Sequence, residues 1–527
     1  MLSFILCLTM TIAMMLLMER MVKPRAPSNR RFLYRLSLLS AMPAVVFYIT
    51  IFMISYRPIL SFGAALITFS TIILFNNAKY AALQEPLVFS DFALLRQVVQ
   101  HPALYLKYIG VFNLLALAFA AVAGIVVDLY FEAPVIARPT LNDYFPTALY
   151  LFVVLGMIYS VTRGPLRGAF LQLLRRFGTE TDVRRDIDKL SLVVCLIFYF
   201  LLANEKAPSS APAKPAVRPV PQNWPTASMQ LPPVIVVQSE SFFDARRLHP
   251  SIPNGILSRW DALGTEAVYR GHLKVPAWGA NTMRTEFAFL SGLPSEALGV
   301  HRFNPYLNLC KAPVWTLARQ LRAMGYRTVC VHPYASSFFD RDKVFPNLGF
   351  DLFLDIESFG GAARFGPYIC DRAVADKITA VLEGASAPQF IFAITMENHG
   401  KWERGRLDGD TLAAPNLPKT PLGSPELGMY LQHLANADAM AGRLTDYLRE
   451  RPGDGVFCMF GDHVPSLPSA FGRADFAESS TDYLVWKKSG RQPRMLNVDV
   501  DVLGRLVLDA VLNEANHAAI RAQPSAV

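Results

Sequence analysis

The chain has 527 residues, 52% of them hydrophobic, and a formal charge of +9. It is long enough for two or three domains and, with a positive mean hydropathy, too apolar for an ordinary soluble enzyme. The Lys and Arg residues of the N-terminal part sit in short loops between apolar runs, which is membrane-topology information and not a nucleic-acid footprint.

The apolar residues concentrate in positions 1–204. Residues 2–18 have no basic stretch before them and no small-residue cleavage site after them, which reads as a retained transmembrane helix and not a signal peptide. The basic loop that follows, Arg20 to Arg35, is expected on the cytoplasmic side. Residues 36–56 and 59–75 give a second and a third span, separated only by Arg57 and Pro58. Residues 76–107 are amphipathic and aromatic enough to lie along the inner interface. A fourth span covers 108–131 and a fifth 146–161. A second basic loop runs from Arg163 to Lys189, and 190–203 makes a sixth span, short for a bilayer that needs about 20 residues. Six spans place both basic loops inside and both chain ends outside.

Residues 205–233 form a Pro-rich, semi-extended linker. From 234 to 511 short apolar strands alternate with helical patterns, as in an α/β domain with a mostly parallel central sheet, and 512–527 form a tail. Strands are expected at 234–238, 327–333, 390–395, 456–460 and 483–486, with helices at 314–324, 372–382 and 427–449. The six cysteines show no CxxC spacing, which argues against a zinc knuckle. Cys310, Cys330, Cys370 and Cys458 could form up to two disulfides outside the cytoplasm, although Cys330 and Cys458 fall in apolar runs that suit buried thiols.

Ligands of such sheets bind at the carboxyl ends of the strands. Strand 234–238 runs into Gln238-Ser-Glu240-Ser, strand 390–395 into Met396-Glu-Asn-His399-Gly, and strand 456–460 into Gly461-Asp462-His463. One carboxylate, one His and an Asp-His pair at a single rim make a plausible O and N ligand set for a divalent ion. Each alone has a plainer reading: a helix-start carboxylate, a loop histidine, a turn aspartate. Thr282, in VPAWGANTMRTEF (275–287), stands where a tight segment enters a helix. A Thr there is commonly an N-cap, but the position also suits a nucleophile facing a phosphate. Glu286, Arg284 and Thr285 read as either supporting or structural residues, His332 as either site or structure, and Asp371 as a helix N-cap.

Ser-Glu-Ser after an apolar strand, a Thr four residues before Glu286, Asn-His-Gly after a strand, and Phe-Gly-Asp-His together resemble the lipoteichoic acid synthase family. These are the phosphoglycerol and phosphoethanolamine transferases of the alkaline phosphatase and sulfatase superfamily. The likeness spans about 234–511, and a membrane bundle ahead of the catalytic domain is similar too. The resemblance implies that Glu240, Thr282, Asp462 and His463 bind a metal, commonly manganese, with magnesium or zinc as alternatives. Thr282 would also be the nucleophile. It implies that His399, Arg341 and Phe339 bind substrate, Phe339 standing where the family has Trp. It further implies a phosphatidylglycerol or phosphatidylethanolamine donor, a glycan or lipid acceptor, and an extracytoplasmic catalytic domain on a bacterial cytoplasmic membrane. A phosphodiesterase or sulfatase and an inactive membrane scaffold are the alternatives. Asn281-Thr282-Met283-Arg284 lacks the Cys or Ser followed by x-Pro-x-Arg that a formylglycine sulfatase needs.

Overall fold

A computed structural model of the chain describes residues 2–24, 30–102, 104, 111–137, 140–178, 182–204, 231–403, 405–407, 421–490 and 493–512. The chain divides into two compact units, Met1–Ala207 and Pro208–Val527. The expected linker, apart from 231–233, and the expected tail, apart from Leu512, lie outside the described residues.

The first unit is helical. Each apolar segment read from the sequence contains a helix: Leu2–Glu19, Arg30–Ser55, Pro58–Leu83, Val111–Phe131, Leu141–Thr162 and Leu192–Ala203. Among the described residues three of them, Leu2–Glu19, Pro58–Leu83 and Leu141–Thr162, are long and apolar enough to cross a membrane. Leu192–Ala203 has only 12 residues, a rise of about 18 Å against a hydrocarbon core of about 30 Å. It starts abruptly because Ser191 takes a non-helical conformation with positive φ, 71°, and separates it from the Val183–Leu190 helix. The Pro58–Leu83 helix runs further than the apolar stretch predicts, and Asn76 within it is buried, its amide donating to the Lys23 carbonyl at 2.8 Å.

The second unit is built on a nine-stranded mixed sheet. In chain order its strands are β1 (Val234–Ser239), β2 (Tyr269–Lys274), β3 (Arg327–Val331), β4 (Leu352–Leu354), then, past a separate hairpin of β5 (Arg364–Phe365) and β6 (Tyr368–Ile369), β7 (Gln389–Ile394), β8 (Val456–Gly461), β9 (Thr481–Lys487), β10 (Arg494–Met495) and β11 (Val498–Asp499). The spatial order is β10-β2-β9-β8-β1-β7-β3-β4, with β11 also on β2. The run β8-β1-β7-β3-β4 is parallel, and β9 lies antiparallel between β8 and β2.

β1 is buried along its whole length, which is why it reads as an uninterrupted apolar run. Ile235 and Val237 face one hydrophobic cluster, shared with the Asp371–Glu383 and Pro425–Glu450 helices. Val234 and Val236 face the other, shared with the Thr282–Ser291 and Val500–Leu512 helices. The result is three layers, helices on both faces of a sheet. All six cysteines are free, and Cys330 on β3 and Cys458 on β8 are sealed in the core. Helix Asp371–Glu383 is preceded by Cys370 as its N-cap, so Asp371 is the first helical residue and not the cap.

Candidate active site

Four neighbouring parallel strands, β8, β1, β7 and β3, deliver chemistry-bearing residues at their carboxyl ends. β8 ends in Gly461 beside Ser239 of β1, so Asp462 and His463 arrive next to Glu240. One ligand atom from each of these three lies within 4.8 Å of the others. His463 Nε2 is 3.3 Å from Asp462 Oδ2 and 3.5 Å from Glu240 Oε1. All three side chains are buried.

The hydrogen bonds around this cluster are directional. Asp462 Oδ1 accepts from the backbone N–H of Ser241 at 2.8 Å and of His463 at 2.9 Å, while its Oδ2 is buried with no hydrogen-bond partner among the described residues. Glu240 is fixed by its own N–H donating to Thr395 Oγ1 at 2.9 Å and by Ser241 Oγ donating to Glu240 Oε1 at 3.0 Å. His463 Nδ1 lies 3.0 Å from the Val464 carbonyl, which can only accept, so Nδ1 carries the hydrogen. A neutral ring would present its Nε2 lone pair to the two carboxylates. Burial, and next the neighbouring Asp462, push Glu240 well above the usual carboxylate range. Two buried carboxylates and an imidazole lone pair converging on one point, one oxygen of them orphaned, fit a divalent cation with O and N preference.

Thr282 opens a ten-residue helix that is buried along its length. Its N-cap, Asn281, is itself in the left-handed region, φ 68°, and makes no side-chain capping bond. The helix start is tethered to the cluster on both sides. Gly279 N–H donates to the Val464 carbonyl at 3.2 Å, and Thr285 Oγ1, one turn beyond Thr282, donates to the Asp462 carbonyl at 2.7 Å. Thr282 therefore sits between two anchors to the segment that supplies Asp462 and His463, at 8% exposure.

The other expected substrate residues occupy the β7 and β3 side. His399 is half-buried after β7, with Nδ1 2.9 Å from the Gly400 carbonyl and 3.5 Å from the Tyr368 hydroxyl. A row of rings leads from it to Phe339: His399 to Tyr368 at 5.7 Å, Tyr368 to Tyr334 at 6.4 Å, Tyr334 to Phe338 at 5.5 Å and Phe338 to Phe339 at 4.1 Å. Tyr334 and Tyr368 did not stand out in the sequence because neither lies in a motif. Arg341 stacks over Phe339 at 5.3 Å but is only 1% exposed. Its guanidinium pairs with Glu286, Nη2 to Oε2 at 2.9 Å, and donates to His332 Nε2 at 3.1 Å. It also lies close enough to Glu240 for its charge to be felt there. Of the residues left open by the sequence, Glu286 and His332 thus belong to this network. His433 and Glu397 form a separate buried pair at 3.1 Å.

The profile of the sulfatase family matches residues 232–505, and the chain belongs to that family. A capsular polysaccharide biosynthesis protein, RkpI of Rhizobium meliloti (strain 1021), is 29% identical over 473 residues, covering 88% of this chain and 84% of RkpI. Among solved structures, the integral membrane lipooligosaccharide phosphoethanolamine transferase A (EptA) of Neisseria meningitidis matches with TM-score 0.52 at 13% identity. It covers 92% of this chain and 90% of its own, so the likeness of fold includes the helical first unit. The lipoteichoic acid synthase LtaP of Listeria monocytogenes matches 54% of this chain and 73% of its own at 21% identity, with TM-score 0.45.

Proposed function

We propose that the protein is a metal-dependent transferase that moves phosphoglycerol or phosphoethanolamine from a phospholipid to an envelope glycan or lipid through a phospho-Thr282 intermediate. The observation that carries the reading is the convergence of Glu240, Asp462 and His463 beside the tethered start of the Thr282 helix. Glu240, Asp462, His463 and the Thr282 hydroxyl would hold the ion, with manganese the expected occupant. When bound, a divalent ion supplies positive charge that makes a weakly acidic hydroxyl a competent nucleophile and offsets phosphoryl charge.

The chain's own residues then do the following. Thr282 Oγ gives its proton to solvent and bonds to phosphorus, and the bond from phosphorus to the diacylglycerol oxygen breaks. His399 gives that oxygen a proton. The acceptor hydroxyl attacks the phospho-threonine, its proton replaces the one His399 gave, and Thr282 regains its own on release. The amino end of the helix and Arg341 oppose the charge that builds on the phosphoryl oxygens. His399, Phe339 and the ring row between them form a wall for the headgroup.

RkpI's description as a capsular polysaccharide biosynthesis protein favours a polysaccharide acceptor. The basic loops of the first unit favour an orientation with the 234–511 domain outside the cytoplasmic membrane. The test is intact mass spectrometry of the full-length protein after incubation with phosphatidylglycerol or phosphatidylethanolamine. A mass equal to one phospho-headgroup on wild type, mapped to Thr282 and absent from Thr282→Ala, is the expected result. An unmodified wild type under trapping conditions with both lipids overturns it.

A further inference from the structure

We infer that Glu286 is a positioning residue for transfer: it clamps the Arg341 guanidinium to the helix that begins at Thr282, and so sets nucleophile and phosphate-binding arginine in register before a donor arrives. This rests on the reading of Arg341 given above.

Glu286 lies four residues after Thr282, about one turn along the same helix face. It is fully buried, and the clamp is two-pointed: Arg341 Nη2 to Glu286 Oε2 at 2.9 Å and Nε to Oε1 at 3.3 Å. The Tyr306 hydroxyl donates to the same Oε1. On the far side Arg341 Nη1 donates to His332 Nε2, and His332 Nδ1 donates to the Ile394 carbonyl at the end of β7, 3.0 Å away. The fork is therefore held from the nucleophile helix on one side and from two strand ends on the other. Among the described residues these contacts engage three of its five N–H groups and leave two for an anion.

One further observation sets this pair apart from an ordinary core contact. A buried ion pair is weak evidence for stability, since apolar residues of the same volume commonly do as well. The approach to Arg341 is also strained, with Phe339 and Asp340 both in the left-handed region at φ 58° and 52°. Such positions are unfavourable for residues other than glycine and persist only where surrounding structure holds them.

The experiment compares wild type, Glu286→Gln, Arg341→Ala and the double variant as full-length protein, with headgroup-labelled phosphatidylglycerol and phosphatidylethanolamine, following labelling of the protein at saturating and limiting lipid. Glu286→Gln is expected to lower the maximal rate about 10–100-fold with KM within about threefold, the mark of misplacement. In the Arg341→Ala background the same change is expected to cost less than about threefold more. If Glu286→Gln does not fold, judged by near-UV circular dichroism, Glu286→Asp takes its place, with the same rate loss expected from its shorter reach. An unchanged rate in the single variant, or an equal loss in both backgrounds, overturns the inference while leaving Arg341's role intact. An Arg341→Ala enzyme with unchanged rate and KM overturns that role and the inference with it.

Discussion

Asp462 divides its carboxylate between two tasks: Oδ1 accepts the backbone N–H of Ser241 at 2.8 Å, while Oδ2 faces His463 and accepts no hydrogen bond from any described residue. Oδ1 holds the ends of β1 and β8 together, and Oδ2 is the oxygen that the proposed cation would take.

Asp462→Asn keeps the shape and the Oδ1 acceptor but removes the charge. Its expected effect is a loss of bound divalent ion by elemental analysis and a fall in headgroup transfer of at least about 100-fold. In wild type, chelation should abolish transfer and lower the thermal midpoint. Returning the ion at about a hundred times its Kd should restore about 2.7 kcal/mol. A chelated enzyme that retains full transfer and an unmoved midpoint would speak against the metal.

Gly461 is required by contact and not by backbone angle. A Cβ there would stand 1.8 Å from the Phe242 carbonyl oxygen and 3.0 Å from Thr481 Cβ. Backbone must therefore move, and the backbone in question carries Glu240 on one side and Asp462 on the other. Gly461→Ala is expected to lose bound metal as well as stability. A variant with wild-type metal content and melting would refute the contact argument.

Phe289, on the Thr282 helix, is buried against Phe392 of β7 at 5.7 Å and Phe460 of β8 at 4.9 Å. Phe289→Ala should cost about 3–5 kcal/mol through the cavity it leaves. All six tryptophans follow residue 207 in the chain, so tryptophan fluorescence of the full-length protein reports on the second unit during unfolding. A change below about 1 kcal/mol would mean the helix is not anchored through this ring.

Burial, and next the facing Arg341, hold His332 well below the ordinary histidine range. The folded ring stays neutral while the unfolded chain takes up a proton near pH 6.5. Its stabilising contribution is therefore complete above about 6.5 and is lost as pH falls toward the depressed folded value. The loss approaches about 1.4 kcal/mol per pH unit for one proton. Fluorescence-monitored unfolding at pH 7.5 and 5.5 should show a shallower decline for His332→Gln than for wild type. Parallel declines would remove His332 from the pH response.

The parts of the second unit that could be read in the sequence are those where burial on both faces leaves an apolar run. β1, β7 and β8 emerge within a residue or so of their expected bounds for that reason. β2, Tyr-Arg-Gly-His-Leu-Lys, went unread because it alternates buried and part-exposed residues near the sheet edge, and β4, β10 and β11 are too short to carry a pattern. Glu240, Asp462 and His463 were legible because each directly follows a strand. The Glu286–Arg341 clamp was not, because its halves are 55 residues apart and neither motif refers to the other. In the first unit hydropathy located the helices but could not foresee the turn at Ser191 that leaves the last one at 12 residues.

β1 is the earliest strand of its sheet to be made, yet it lies between β7 and β8, among the later ones. Glu240 must therefore wait more than two hundred residues of synthesis for Asp462 and His463. Such non-local pairing is slow to form and leaves strand edges open in the meantime. On the proposed metal site, capture of the ion is accordingly a late event in the life of a new chain, and a fragment that stops short of β8 retains only one of the three clustered residues.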